Sequence, residues 1–473
     1  MMDAVVIGAG PNGLTAAATL AKRGWSVAVF ETQPRPGGAL WSLESTLPGF
    51  LHDVGAAFFP FADDSPAFRH LNLTGAGLHW INAPRESCHP APDGSCVTIS
   101  RDIEQSRISF GADGEAWHRL ARWMQAMGLL SSASFSTRHF RTEAARRVIP
   151  GLALHVDLGP DDLAGAGLGL VLGLLASHAG FRIPVGGARS ISNALIYRLQ
   201  QAGGQLYLGE RVEQILVRNR QVVAIRTSKG NEVPVRKAVL ADVTPAALFT
   251  GLLRDVPGLS WIRNRARRFR PGWGTFKMDW ALNSPVPWSW PEARESAVLH
   301  AGDSLADLRA FTQEVRSGQL PSNPYLVIGQ QSLFDPSRAP AGGQTLWAYS
   351  RVPSHLPEGW ANHKESFADR IEQRIEALAP GFRERILARA IVSPEDLQNL
   401  DENLVGGDLG GGSALIDQQL FLRPVFPYFQ YRMPVRRLYL CSASTHPGAG
   451  VHGACGFNAA RMAMRDAGER PSF

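Results

Sequence analysis

The chain has 473 residues, 44% of them hydrophobic and 19% charged, with 48 basic residues against 42 acidic ones. That length predicts roughly three domain-sized units and, by surface scaling, about three-quarters of the unfolded surface buried, so no disulfide or metal staple is needed. The composition excludes a disordered chain and a collagen-like array, and the near balance of charge argues against a nucleic-acid partner.

The first predicted element is DAVVIG, from Asp3 to Gly8, a short apolar run of the kind that forms a buried parallel strand. GAGPNG follows at 8–13, and LTAAATLAKRG then reads as a helix closed by Gly24. SVAVFE, from Ser26 to Glu31, is a second strand that ends on an acid. Together these make a β-α-β unit with a glycine turn at its first junction. Gly8 permits the tight turn, Gly10 lets the backbone approach a pyrophosphate, and Gly13 allows helix and strand to pack closely. The helix then opens with unpaired N–H groups and the positive end of its dipole facing the phosphates. Glu31 lies 18 residues beyond Gly13 and is placed to accept hydrogen bonds from an adenosine ribose. A carboxylate there would repel a 2′-phosphate, which disfavours NADP. The motif by itself leaves FAD and NAD both open.

From Gln33 the chain continues QPRPGGAL and then LPGFLHDVGAAFF. Here it resembles the two-dinucleotide-binding flavoproteins, in which an Arg-x-Gly-Gly after the ribose acid continues the FAD cradle. Arg35, Gly37 and Gly38 match that pattern, and Asp53-Val54-Gly55 resembles the segment that follows it. A proline- and glycine-rich loop without a ligand is the plain alternative.

Between Gly75 and Gly180 no second unit of this kind is apparent. A helix is predicted around Glu115–Met127. LAGAGLGLVLGLLASHAGF, from Leu163 to Phe181, carries no Asp, Glu, Lys or Arg over 19 residues. Its length could cross a bilayer, but its glycines, Ser177 and His178 fit better a greasy helix that lines a cavity or touches a membrane surface. The stretch 184–217 returns to the pattern of a nucleotide-binding domain: a helix, strands at 205–208, 212–217 and 222–227, and KAVLAD at 237–242. The basic run RNRARRFR at 263–270 reads as a solvated helix face. Seven of the twelve tryptophans, Trp261, Trp273, Trp280, Trp288, Trp290, Trp347 and Trp360, fall between 256 and 420. They fill a core or line an apolar cavity, and as a group favour a bulky substrate.

LYLCSASTHPGAGVHGACGFNAARMAMRDAG closes the chain at 438–468 as strand, glycine turn and helix. Gly448, Gly450 and Gly453 repeat the GxGxxG spacing, but only 20 residues follow Gly453, too few for a second nucleotide domain. The turn and helix start can still hold an anion, such as the negative side of a reduced flavin. With RPGWGTFKMDWAL at 270–282 and LFDPSRAPAGGQTLWAYSRVP at 333–353, this segment closely resembles the phytoene-desaturase-like FAD oxidoreductases, in particular the branch named for a pyridine nucleotide-disulfide oxidoreductase domain. APGF at 379–382, VGGD at 405–408 and LFLRP at 420–424 extend the likeness over nearly the whole chain.

The resemblance implies an α/β fold: a Rossmann-like FAD-binding domain of the two-dinucleotide-binding type assembled from 1–75, 181–255 and 421–473, with an interleaved α+β substrate domain from 76–180 and 256–420. It implies FAD held by Gly8, Ala9, Gly10, Pro11, Asn12, Gly13, Glu31, Thr32, Arg35, Gly37, Gly38, Ala39, Val212, Gly450, Val451, Gly453 and Asn458. For Val212, whose backbone would hold the adenine, a buried strand valine with no ligand contact is an equal alternative. Flavin amine oxidases are more distant relatives. Their glycine-apolar-lysine motif, in which the lysine holds a water beside flavin N5, is matched at Gly274-Thr-Phe-Lys277. Lys277 is therefore the leading catalytic candidate, against a strand-edge lysine facing solvent. His452 in the glycine turn is the second, as a proton carrier near neutral pH.

The expected activity is FAD-dependent dehydrogenation of a bulky hydrophobic small molecule, with oxygen or a quinone as electron acceptor. Redox-neutral isomerisation of a polyene, amine oxidation, and an FAD-stabilised interaction module without turnover are the alternatives. Cys88, Cys96, Cys441 and Cys455 form no CxxC, which argues against a disulfide scaffold, a zinc site or a redox dithiol, and no other metal site is expected. No secretory signal opens the sequence, so a cytoplasmic protein is expected, with peripheral membrane contact left open. The sequence leaves the oligomeric state undetermined.

Overall fold

The computed structural model describes residues 1–62, 65–122 and 132–469, and two seven-stranded sheets organise it. In the first sheet the strand Met2–Ile7 lies between Val27–Phe30 and Glu232–Ala241, parallel to both, and Gln205–Tyr207 and Leu438–Leu440 extend the parallel set. Asp3 to Ile7 are all buried, as an apolar strand covered on both faces must be. One face packs under the helices Pro11–Lys22, Arg189–Gln201 and Ala454–Asp466, through Leu14, Leu20, Leu195, Phe457 and Ala460. The other is covered by the antiparallel ribbon Val212–Arg218 and Gln221–Thr227, with Phe249 and Ile262 behind it.

The first and last of those helices approach very closely. A Cβ at Gly456 would stand 1.9 Å from the carbonyl oxygen of Asn12, so the C-terminal helix can lie against the first turn of the N-terminal one only because this residue has no side chain.

The second sheet runs in the order Ile386–Val392, Gly274–Leu282, Gln344–Val352, Leu326–Gly329, Ser296–Ala301, Arg85–Pro90 and Cys96–Ile99. Its pairs are antiparallel apart from Ser296–Ala301 with Arg85–Pro90. Alternation along the strand Gly274–Leu282 divides two environments. Phe276, Met278 and Trp280 point into a core with Trp288, Trp360 and Phe367. Thr275, Lys277 and Asp279 stand opposite Arg351, Tyr349 and Trp347 on the other face.

Several sequence expectations change in extent. The helix expected around Glu115–Met127 spans Gly114–Arg122, and the rest of that stretch lies outside the described residues. KAVLAD is the end of a longer strand, Glu232–Ala241, and LYLCSA shortens to Leu438–Leu440. The greasy segment forms a 14-residue helix, Gly165–His178, about 21 Å long at 1.5 Å per residue. Among the described residues no helix is long and apolar enough to cross a membrane. In the basic run, Arg263 turns inward and donates to the carbonyls of Phe249, Leu253 and Val256, while Arg265, Arg267, Arg268 and Arg270 stay exposed. Cys88 and Cys96, on paired strands, bring their sulfurs to 3.1 Å as free thiols.

Candidate active site

A cavity of about 320 Å³ runs from the N-terminal glycine turn to the second sheet. At the turn it is lined by Gly10, Pro11, Asn12, Ala39, Asp242, Asp401 and Asn403, and by Ser442 to Ser444 and Ala449 to Val451 of the C-terminal turn. The helix Pro11–Lys22 starts here with Pro11 at its first position and no side-chain cap, which leaves backbone donors of its first turn free for an anion. The turn is drawn in against Asp242, whose Oδ2 accepts from the Gly13 N–H at 2.8 Å. Burial pushes the Asp242 carboxyl up to about 7, and the nearby charges of Asp401 and Glu31 add to the shift.

The remaining predicted cofactor residues fall in three groups. Gly10, Pro11, Asn12, Ala39, Gly450 and Val451 line the cavity. Gly8, Ala9, Gly13, Gly37 and Gly38 shape the turn from behind: Gly37 N donates to Ala9 O at 2.8 Å, and a Cβ on Gly38 would sit 2.9 Å from Asp401 Oδ2. Glu31 braces the same turn, its two oxygens accepting from Ala9 N at 2.7 Å and Gln33 N at 2.8 Å; a carboxylate has lone pairs left for a ribose. Arg35 donates to Gly38 O and lies over the Trp41 ring.

The third group stands away from the wall. Thr32 is exposed. Val212 opens its strand two residues after Glu210, whose N–H donates to Glu31 O. Gly453 takes the left-handed conformation that starts the C-terminal helix and packs on Thr15, and Asn458 donates to the Tyr431 hydroxyl.

Neither catalytic candidate lines the cavity. Lys277 is on the side of the sheet that faces the cavity but does not line it. It is 98% buried, and its Nζ donates to Asp279 Oδ2 at 2.5 Å. Asp279 also accepts from Ser45 and lies 3.6 Å from His52 Nδ1. The lysine is thus held by a neighbouring carboxylate, and Tyr349 and Arg351 of the adjacent strand form the wall in its place. His452 does not line the cavity; its ring stands edge-on to Phe61, which does. Its Nδ1 accepts from Ala454 N at 3.0 Å, and burial lowers its pKa to about 4. At neutral pH the ring is uncharged.

The far end of the cavity takes Leu168, Leu172 and Phe181 from the greasy segment expected to line a cavity and Trp347 from the tryptophan group, and adds residues the sequence reading did not single out. Phe58, Phe59, Leu168, Leu172, Phe181, Val298, Val327 and Trp347 make it apolar, and its polar groups are His155, Tyr349 and Arg351. Of the seven tryptophans, Trp347 alone reaches the wall; Trp280, Trp288 and Trp360 are core. Burial, and after it the Arg351 guanidinium, hold the His155 pKa at about 3. Asp242 could have been found, because a polar residue just past the C-terminal end of a parallel strand faces the ligand crevice. Nothing local marks His155, Tyr349 or Arg351.

The model of the family of flavin-containing amine oxidoreductases matches residues 12–461. The chain belongs to that family. It is 27% identical to the pyridine nucleotide-disulfide oxidoreductase domain-containing protein 2 of Mus musculus, an alignment covering 98% of this chain and 93% of the mouse protein. It is 24% identical to a neurosporene-forming phytoene desaturase of Cereibacter sphaeroides, over 96% and 92% of the two chains. Its fold is also that of an oxidoreductase from Methanosarcina mazei, at a TM-score of 0.70 and 19% identity over 97% and 99% of the two chains. This flavoenzyme is an FAD-dependent oxidoreductase of the phytoene-desaturase-like superfamily.

The residues present fit FAD. The helix start faces the cavity, Asn12 Oδ1 is buried there without a protein partner, and the glycines leave room where a Cβ would collide with backbone.

Proposed function

We propose that the enzyme removes hydride from a bulky apolar substrate to FAD and leaves a carbon–carbon double bond. The observation that carries this reading is the wall opposite the glycine turn, aromatic and aliphatic with a guanidinium at its edge. An apolar polyene gains from that surface by about 25 cal/mol per Å² buried. At that end of the cavity a protonated amine would meet the Arg351 guanidinium, the carboxylates of Asp242 and Asp401 lying at the glycine turn, which argues against amine oxidation. Bound FAD supplies the hydride acceptor. The chain's residues bind its diphosphate at the helix start, hold the substrate against the apolar wall and exclude water. We assign oxygen or a quinone as the electron acceptor, because the second sheet is mostly antiparallel and shows, among the described residues, none of the β-α-β units that a nicotinamide nucleotide would need.

The test is the visible spectrum under anaerobic conditions. Addition of detergent-dispersed phytoene should bleach the flavin band, and a quinone or air should restore it. Bleaching by putrescine but not by phytoene overturns the proposal. Product that forms only after prior reduction with dithionite, without net flavin turnover, would make the enzyme an isomerase.

Asp242 gives the flavin affinity a pH dependence. Its folded pKa is raised from the usual 3.8 to about 7, so the neutral form is the one the fold prefers. The stability this gives is complete below the ordinary value and is lost as pH rises through about 7. Ionised Asp242 would also face the FAD diphosphate. The FAD dissociation constant should therefore rise about tenfold between pH 6 and pH 8. In Asp242→Asn, which still accepts from Gly13, it should stay flat. Flavin fluorescence quenching measures both; an equal slope in the variant would remove Asp242 from the cradle.

Peripheral membrane contact has its support at Leu420, Phe421, Leu422 and Phe426, which are 47–62% exposed. Trp261 contacts Tyr428 and Arg270 pairs with Asp417, so the segment that carries the exposed arginines lies beside this loop. We assign an anionic bilayer surface to it. Phe421→Ser should weaken co-sedimentation with phosphatidylglycerol vesicles about tenfold, at roughly 1.5 kcal/mol for a partly inserted ring; undiminished sedimentation would exclude this loop.

A further inference from the structure

Behind the polar corner of the cavity the buried side chains form a continuous file. The Tyr349 hydroxyl lies 3.2 Å from His155 Nδ1. His155 Nε2 lies 2.7 Å from His300 Nε2. His300 Nδ1 lies 2.9 Å from Ser87 Oγ, which is also 2.9 Å from His89 Nε2. The first two members line the cavity, and the other three lie inside the substrate lobe, each at most 1% exposed. Residues from four separate stretches, near 87, 155, 300 and 349, build it.

The hydrogen-bond chemistry of this file is restrictive. A hydroxyl has one proton, and a neutral imidazole has one N–H and one bare nitrogen. The N···N contact requires one ring to donate and the other to accept. Once that choice is made, every other bond follows, because Ser87 can donate to only one of its two histidines. Two proton orders therefore exist. In one, every proton points from Tyr349 towards His89; in the other, every proton points back. A proton entering at Tyr349 or His155 and one leaving at His89 convert the first order into the second, with one short shift at each bond.

The charges around the file keep it from storing a proton. Arg351 donates to Thr275 Oγ1 and to the His155 carbonyl, and Arg147 donates to the carbonyls of His89 and Ser95. A guanidinium thus stands at each end. Burial first, and then these cations and the neighbouring rings, lower the pKa of His89 and His155 to about 3 and that of His300 well below its usual range. Asp93, Asp303 and Glu143 are the acids whose charge acts on Arg147. A resident imidazolium is disfavoured throughout, so a proton that enters is passed on. The same three rings form no metal site: among the described residues no group of three or more ligating side chains could hold an ion.

We propose that Tyr349, His155, His300, Ser87 and His89 form a proton relay that removes from the cavity the proton released when the substrate is oxidised. This rests on the dehydrogenation proposed above. Two C–H bonds break and one C=C bond forms; one hydrogen leaves with its electron pair to FAD, and the other leaves as a proton to the Tyr349–His155 pair. A proton shifts along each bond, so the file hands on one proton at His89 for each one it takes up at the cavity. The substrate loses two electrons, the flavin gains two, and one proton leaves the cavity.

Two measurements test the relay separately from the substrate assignment. In histidine-¹⁵N-labelled protein without added substrate, a through-bond coupling between His155 Nε2 and His300 Nε2 is expected, with both rings neutral at pH 6. An uncoupled or charged pair overturns the relay, whatever the substrate proves to be. In stopped-flow reduction by phytoene, an indicator dye should report one proton released per flavin bleached, in step with the bleaching. His300→Gln keeps an amide in the file but cannot exchange donor for acceptor, and Ser87→Ala cuts the link to His89. Each should slow bleaching about 100-fold, within the usual range for a lost proton-transfer group. Proton release should lag, and flavin affinity and melting temperature should stay near native. Bleaching within twofold of native, with synchronous proton release in both variants, overturns the relay. Failure of phytoene to bleach the native flavin while the coupling is present overturns the substrate proposal alone.

Discussion

Gly13→Ala should yield a protein that purifies without its yellow cofactor. A methyl group on Gly13 would stand 2.2 Å from the Gly8 carbonyl oxygen, 3.0 Å from Asp242 Oδ2 and 3.2 Å from Asp242 Cβ. The first of these atoms is backbone and cannot rotate away. Gly8 has no slack to give, since it has φ +96° and its own missing Cβ position is 2.9 Å from the Asp242 carbonyl oxygen. The only relief is to lift the helix Pro11–Lys22 off the strand Met2–Ile7. That breaks the Gly13–Asp242 hydrogen bond and turns the helix start away from the diphosphate. Overpacking of this kind costs about 1–3 kcal/mol, and the lost anion contacts add to it, so flavin affinity should fall at least about 100-fold, at 1.4 kcal/mol per tenfold. Gly251→Ala is the control, because nothing lies within 4 Å of a Cβ there, and it should stay yellow. The measurement is the ratio of flavin to protein absorbance, followed by titration with FAD. A Gly13→Ala protein that retains stoichiometric flavin would exclude close packing at this turn as the basis of the cradle.

That prediction could be written in large part from the sequence, because the β-α-β unit is contiguous. Strand, turn, helix and acid lie within the first 31 residues, and each carries its own local signal. The reading stopped short where the cavity and its surroundings are built from residues far apart in the chain. Asp242 is 229 positions from its partner Gly13, and His155 is 145 from His300 and 194 from Tyr349. No periodicity brings such residues together: the first sheet pairs the strand that precedes Asp242 with Met2–Ile7, and the second places His300 and Tyr349 on strands that flank Leu326–Gly329. Lys277 shows the limit well. Its face is the one turned towards the cavity, as strand alternation requires, yet Asp279 two positions along the same strand takes its amine. His452 fails for a similar reason: its place in the glycine turn is legible, whereas the direction of its ring is set by Phe61 and Ala454. Of the seven tryptophans, packing places Trp280, Trp288 and Trp360 in the core, Trp347 on the cavity wall and Trp261 at the surface.

Arg338→Met should be the most destabilising single substitution outside the glycine turns. Arg338 has no exposed surface, and its guanidinium joins three segments. Nη1 donates to Asp53 Oδ2 at 2.5 Å, Nε to Asp335 Oδ2 at 3.0 Å and Nη2 to the Pro184 carbonyl at 2.9 Å. The other oxygen of Asp53 accepts from Ser42 Oγ and from Ala188 N, ahead of the helix Arg189–Gln201. Asp335 accepts from Gly186 N. One cation therefore compensates two buried carboxylates that between them fix the loop after the nucleotide strand and the start of a packing helix. Methionine fills much of the volume but leaves both carboxylates without their charge partner in an interior that solvates them poorly. Breaking a buried pair in this way costs about 3–5 kcal/mol, a large share of the 5–15 kcal/mol that holds a typical domain folded. Arg338→Lys should recover less than half of the loss, since an ammonium cannot reproduce the planar fork that serves three acceptors at once. Urea unfolding of the flavin-loaded protein should show the midpoint falling in the order native, lysine, methionine, with an unchanged slope. A loss below about 1 kcal/mol in the methionine variant would mean that water reaches Asp53 and Asp335 when the arginine is removed, and the junction would then be far less sealed than its burial indicates.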